Sequence, residues 1–361
     1  MARSRNSQEV KDMVDSEEDR IELNRLPSII DKTKLIPTGS TLLNLGLSDD
    51  PYGGFHIGTI NNIIGDSAAG KTFLLWTIFA EMVYDKRFDE YELYYDEPEA
   101  SLAFNLSKLF GDVVEERIIT EMISESVEAY HNNVMGLLDE GTEKKKKIIK
   151  PFVHGLDSLD AICTEDEIDR DIRKGTFGGQ KPKLISEILR KIVQNVKNTS
   201  STIFVISQTR DNIGVTFGSK KTRSGGKALK FFSTHELWLA VEKHIKRKER
   251  DVGVDVIVKV SKNKLTGKLR KIKFPIYYDY GIDDISSCID FLIEEKVWSE
   301  TRGVIDTKGD FVADKTNQSK LITLIEEENL KPELVELVAN TWYDIETSIA
   351  SDRRPKYETV D

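Results

Sequence analysis

Apolar positions along the chain recur in two alternating rhythms. Short apolar runs (Thr59–Ile64, Tyr91–Asp96, a run ending at Asp157, and Thr202–Ser207) alternate with longer stretches whose apolar residues fall three and four apart (Phe73–Val83, Ser101–Phe110, Ser124–Glu140, Lys183–Asn198). Strands separated by helices of this length predict an α/β fold, a mainly parallel sheet covered on both faces. After Glu236 the rhythm changes. Strict alternation in Val254–Val260, and again near Leu269–Tyr277, predicts antiparallel strands that extend the same sheet. Farther on, Ile285–Glu295 reads as a helix, Val304–Val312 as a turn-centred hairpin, and two short helices precede a polar tail. The predicted organisation is an N-terminal arm (1–33), a core (34–284), a small α+β C-terminal domain (285–345) and a tail (346–361).

Composition narrows the class. A chain of 361 residues, 39% of them hydrophobic, can bury a large core and a small accessory domain. Its longest apolar stretches are about ten residues, too short to cross a bilayer, and Met1–Ser7 has no apolar signal region. A soluble cytoplasmic protein with no membrane partner is expected. Cys163 and Cys288 have neither metal-ligand spacing nor the look of a disulfide framework, which fits a reducing compartment.

Between the first long strand and its helix lies Gly65-Asp66-Ser67-Ala68-Ala69-Gly70-Lys71-Thr72, a complete GxxxxGK(S/T) phosphate loop. Its glycines let consecutive N–H groups face phosphates, and the helix start at Phe73 adds partial positive charge. Lys71 is then placed for the outer phosphates and Thr72 for a magnesium ion, so ATP and Mg2+ are the expected ligands. Strand ends supply the remaining chemistry. Asp157 closes one apolar strand and suits a carboxylate that holds magnesium through water. Asp96-Glu97-Pro98-Glu99 closes another and offers a base to orient the attacking water. Gln208 ends a third, where an amide can sense the terminal phosphate.

The net charge of −10 argues, taken alone, against a polyanionic partner. Local distribution overrides it. From Lys243 to Lys273 twelve Lys or Arg face three acidic residues, a net charge of about +9. Phe217–Lys230 holds Lys220, Lys221, Arg223, Lys227 and Lys230 with no acid. On helix Lys183–Asn198, Ile185, Ile188, Leu189, Ile192, Val193 and Val196 follow core spacing, and Lys183, Ser186 and Arg190 share another face. His131 and His154 have no paired ligands and read as structural.

The order of these motifs resembles the bacterial RecA recombinase family over roughly residues 30–340. The resemblance includes Ile36-Pro37-Thr38-Gly39-Ser40, the phosphate loop, Leu156-Asp157-Ser158, Gln208–Phe232, Lys262-Asn263-Lys264 and a C-terminal domain with Trp298. It implies a RecA-like ATPase core that forms helical filaments on single-stranded DNA and pairs it with homologous double-stranded DNA. Two basic, glycine-containing segments would be the DNA loops. One, Asp169–Lys181, carries Arg173 and Lys174; the other carries Arg210, Ile213, Phe217, Lys220, Lys221, Arg223, Gly225, Gly226 and Lys227. Lys183, Ser186 and Arg190 match backbone-contacting residues, and Tyr278 matches a base-contacting tyrosine. Lys262 and Lys264 would reach the nucleotide of the adjacent subunit, Phe231 would sit at that contact, and residues 8–30 would pack on the neighbour.

The chain also departs from the family pattern. Pro98 occupies the place of the catalytic Glu, which makes Glu99 the first choice and Glu97 the reserve. No adenine-stacking aromatic is evident at Asn105 or Leu106, and Lys220-Lys221 stand where relatives are often neutral or acidic. A hexameric helicase or loader on the same core, or an ATP-gated scaffold that binds single strands, remain alternatives.

Overall fold

A computed structural model describes residues 30–351 and 353, apart from 102–104, 140–149, 172–178, 212–220, 224–225 and 311–314. Most of the expected arm and tail therefore lies outside the described residues. The described chain groups into two compact units that divide between Ser287 and Cys288.

The larger unit begins with β1 (Leu35–Ile36), α1 (Thr41–Ser48), β2 (Phe55–His56), β3 (Ile60–Gly65), α2 (Lys71–Tyr84) and β4 (Glu92–Asp96). It continues through α3 (Leu106–Phe110), α4 (Asp112–Arg117), β5 (Ile118–Ile119), α5 (Val127–Asp139), β6 (Phe152–Leu156), α6 (Glu165–Asp169) and α7 (Gln180–Asn198). Then come β7 (Thr202–Asp211), β8 (Lys221–Arg223), α8 (Gly226–Phe232), β9 (His235–Arg247), β10 (Arg250–Asn263), β11 (Lys271–Tyr277), β12 (Gly281–Ile282) and the start of α9 (Asp284–Glu294).

One sheet organises this unit, in the order β12-β11-β10-β9-β3-β7-β6-β4-β5. Strands β9, β3, β7, β6, β4 and β5 run parallel, and β10, β11 and β12 add antiparallel to the β9 edge. Both halves of the expected pattern thus merge in a single sheet. Every residue of β3 is buried, as a strand covered on two faces requires. Helix α7 turns Ile185, Ile188, Leu189, Ile192 and Val196 into the core, as their spacing predicts.

Three elements differ from expectation. In place of one helix over 101–110, α3 starts at Leu106, capped by the Asn105 side chain on Lys108 N (2.8 Å), and ends at Gly111 (φ +92°) before α4. Strand β7 does not stop at Ser207 but runs on to Asp211 and pairs antiparallel with β8, from Thr209↔Arg223 to Asp211↔Lys221. In the smaller unit, β13 (Ser299–Thr301) and β14 (Val304–Asp306) form an additional hairpin around Arg302-Gly303, and Ile305 also bridges antiparallel to Thr316 across the expected turn. Arg302 and Gly303 both adopt positive φ (55° and 78°), which places the tight turn there. Helices α10 (Gln318–Glu327) and α11 (Lys331–Ser348) follow, the second 18 residues long and crossing the expected start of the tail. Among the described residues no helix is long and apolar enough to cross a membrane.

Candidate nucleotide site and its link to the basic segments

Strand β3 delivers Gly65 into the phosphate loop, and α2 leaves it at Lys71. Two loop residues adopt left-handed backbone, Ala68 (φ 60°) and Gly70 (φ 84°). A Cβ at Gly70 would stand 2.7 Å from Ile276 Cδ1, and one at Gly65 2.7 Å from the Leu239 carbonyl oxygen, so neither position accepts a side chain without movement. Gly70 caps the 14-residue helix α2 with no side-chain hydrogen bond, which leaves the leading N–H groups to an anion. Phe73 turns into the interior, against Phe110 at 5.5 Å. Lys71 Nζ donates to the Asp66 carbonyl (2.6 Å). Burial lowers the Lys71 pKa, opposed by the carboxylates of Asp157, Glu99, Asp66 and Asp160.

Carboxyl ends of β4, β6 and β7 converge on this loop. Thr72 Oγ1 donates to Asp157 Oδ2 (2.6 Å), and Tyr95 OH reaches the same oxygen (3.0 Å). Burial raises the Asp157 pKa, and those two hydrogen bonds oppose the rise. Burial, with Asp157 beside it, raises that of Tyr95. Glu99 accepts from Gln208 Nε2 (3.0 Å) and from the Ser158 hydroxyl. Glu97 instead accepts from Ser101 N (2.6 Å) within its own turn. Asp160 Oδ2 accepts Gln208 N (2.7 Å), and the Thr209 hydroxyl donates to the Asp66 carboxylate.

These residues fit a magnesium nucleotide. Among the described residues no group of three or more His, Cys, Asp or Glu side chains could enclose a metal. Thr72 and Asp157 offer hard oxygens, which suits an ion that takes its remaining ligands from phosphates and water. Sequence reasoning brought Lys71, Thr72, Asp157, Glu99 and Gln208 to one place but missed Tyr95, Asp160 and Thr209. Asp160 had a readable signal, since it lies three residues beyond Asp157 in the same strand-end turn.

Gln208 sits within β7, and the β7–β8 pair continues toward the basic segment. Arg210, Lys221 and Arg223 occupy that ladder, and Gly226 and Lys227 begin α8. Arg173, Lys174, Ile213, Phe217, Lys220 and Gly225 lie outside the described residues. On α7, Lys183 and Arg190 are exposed and Ser186 half-buried, and Arg190 Nε donates to the Ser186 carbonyl (3.2 Å). Tyr278 is exposed in the turn after β11.

Lys262 and Lys264 occupy the opposite end of the sheet from the phosphate loop. The register runs Lys262↔Glu236 and Glu236↔Asn62, three residues back from Gly65, roughly 10 Å along the strand. Their ammonium groups meet the carbonyls ending α8: Lys262 Nζ reaches Phe231 O (2.9 Å) and Lys230 O, and Lys264 Nζ reaches Phe231 O (3.0 Å). Burial, and then the neighbouring charge of Lys264, push the Lys262 pKa down to about 8. Phe231 is 71% exposed, with Lys264 Nζ 5.9 Å from its ring centroid.

A family model described as the RecA N-terminal domain matches residues 25–283. Protein RecA of Fusobacterium nucleatum is 30% identical over 262 residues, covering 73% of this chain and 65% of that one. Protein RecA of Leptospira biflexa is 31% identical over 266 residues, with coverages of 72% and 62%. The chain thus spans just under two thirds of these relatives' length. Protein RecA of Geobacter sulfurreducens is 27% identical over 317 residues, 86% of this chain and 85% of that one.

Proposed function

The chain belongs to the RecA family, and we propose that it acts as an ATP-dependent DNA recombinase. In this reading it assembles as a helical filament on single-stranded DNA, pairs that strand with homologous duplex, and hydrolyses ATP in a DNA-dependent manner. One observation carries the reading: Lys71, Thr72, Asp157 and Glu99 meet at strand ends, and Gln208, bonded to Glu99, lies on the strand that leads into the basic segment.

The loop backbone from Gly65 to Gly70 cradles the phosphates, and Lys71 neutralises charge on the outer ones. Thr72 and Asp157 would hold a magnesium ion, which would supply positive charge against that developing on the phosphates. Glu99 orients the attacking water and takes its proton. Gln208 exchanges its hydrogen bond to Glu99 for one to the terminal phosphate, and that exchange orders β7–β8 against DNA. Lys183 and Arg190 follow the phosphodiester backbone from α7 without reading bases.

Steady-state ATP hydrolysis with and without single-stranded DNA, run beside a strand-exchange assay and electron microscopy, tests the reading. Stimulation by single strands, joint-molecule formation and helical filaments are expected, the first two lost in Lys71→Ala. A rate indifferent to DNA, or closed rings that translocate without exchanging strands, would sink it.

A further inference from the structure

Behind the strand ends, a chain of buried polar side chains crosses an otherwise apolar layer, and the nucleotide chemistry above uses none of it. Tyr94 and Asp96 on β4, with His154 and Leu156 on β6, share the sheet face that α5 and α7 cover. Asp96 and His154 are diagonal neighbours in that pairing, and both are fully buried. Asp96 accepts from Ser124 N (2.8 Å) and from the Ser124 hydroxyl (2.5 Å). That hydroxyl in turn accepts from Asn133 Nδ2 on α5 (3.0 Å). On the other side His154 Nε2 stands 3.5 Å from Asp96 Oδ2, its ring flanked by Tyr94 (6.4 Å) and Tyr130 (5.6 Å). Both imidazole nitrogens and the Tyr130 hydroxyl are buried without a hydrogen-bond partner.

Burying a carboxylate and an imidazole where a sheet ordinarily carries Val or Ile is costly, so the knot points to a role beyond packing. Its anchor point says where that role lies. Asp96 is the last residue of β4, and its carbonyl accepts Asp157 N (2.8 Å), which joins the two strand ends that bear the site. The next three residues carry the chain to Glu99, whose carboxylate meets Ser158 and Gln208. Fixing the Asp96 side chain therefore fixes the point from which Glu99 is presented.

We propose that Asp96, held by Ser124 and packed beside His154, is a positioning residue that sets where the Glu99 carboxylate stands relative to Asp157. It touches neither nucleotide nor water and acts only through Glu99. The assignment rests on the hydrolytic reading above, with Glu99 as its base.

The test is kinetics on the full-length chain with Asp96→Asn, Ser124→Ala and His154→Gln, each measured for kcat, KM, ATP affinity and thermal midpoint. Asp96→Asn and Ser124→Ala should lower the single-strand-stimulated kcat about tenfold with KM and affinity within about twofold, below the temperature where either unfolds. In a Glu99→Gln background, adding Asp96→Asn should cost less than about twofold, because the group it positions is already gone. A full further tenfold loss in that background, or a kcat that falls only as the protein unfolds, overturns the proposal. If Asp96→Asn does not fold, Ser124→Ala, which removes the hydroxyl donor to the Asp96 carboxylate, carries the same comparison in both backgrounds. A wild-type chain with no turnover sinks the recombinase reading and this proposal together, whereas an active wild type with an insensitive Asp96→Asn sinks this one alone.

Discussion

At the scale of single residues, the two carboxylates at neighbouring strand ends differ in their partners. Asp157 is tied by Thr72 and Tyr95, and Glu99 by Ser158 and the Gln208 amide. Glu99→Gln keeps the side chain's size and its acceptor but cannot take a proton. Its single-strand-stimulated kcat should fall on the order of 10²-fold with KM little changed, as single-turnover hydrolysis would read. A second residue fixes acid stability. His235, fully buried at the start of β9, faces Asn61 (3.0 Å) and the edge of Phe55 (5.3 Å). Burial pushes its pKa down to about 3. The unfolded chain takes up this proton below about 6.5 while the folded chain does not, so stability is lost as pH falls from there toward 3. Unfolding free energies from urea titrations should therefore drop more steeply between pH 7 and 5 in the wild type than in His235→Gln, by roughly 1 kcal/mol per pH unit.

Elements bring those residues together, and their geometry sets what a backbone change does. Gly70→Ala would force a side chain onto a left-handed residue and against Ile276, so the phosphate loop should open, with nucleotide affinity lost and the thermal midpoint lowered by a few degrees. Calorimetric titration with ATP reads this directly. Gln208→Ala leaves the loop intact but removes the side-chain link between Glu99 and β7; basal hydrolysis should survive while stimulation by single strands disappears. Much of this level was legible in the chain itself. The phosphate loop announces its own strand and helix, and the mostly apolar runs ending at Asp157 and Ser207 are short enough to locate strands. What could not be read was any feature fixed by pairing. Thr209–Asp211 looks like loop because its residues are polar, and it is strand because β8 folds back onto it. The Arg302-Gly303 turn was hidden by the more obvious Lys308-Gly309, and the link of Asp96 to Ser124 joins residues that no local spacing relates.

For the whole molecule, the sheet register separates the phosphate loop from the lysine pair. Lys262 near the end of β10 pairs with Glu236, and Lys264 follows just beyond it, whereas Gly65 pairs with Leu239 farther along the same strands, which sets both lysines away from the phosphate loop of their own chain. If they serve any nucleotide, it belongs to a second copy, and the exposed Phe231 beside them is the kind of apolar surface such a contact covers. Complementation between defective subunits turns this into a count. A Lys71→Ala chain has a disabled loop and intact lysines; a Lys262→Ala/Lys264→Ala chain has the reverse. Each alone should be nearly inactive on single-stranded DNA. Mixed in equal amounts along one filament, about one interface in four joins an intact loop to intact lysines, and hydrolysis should return to about a quarter of the wild-type rate. Lysines acting within their own chain, or on stability alone, give no recovery at any mixing ratio, because no arrangement of the two defective chains then contains a complete site.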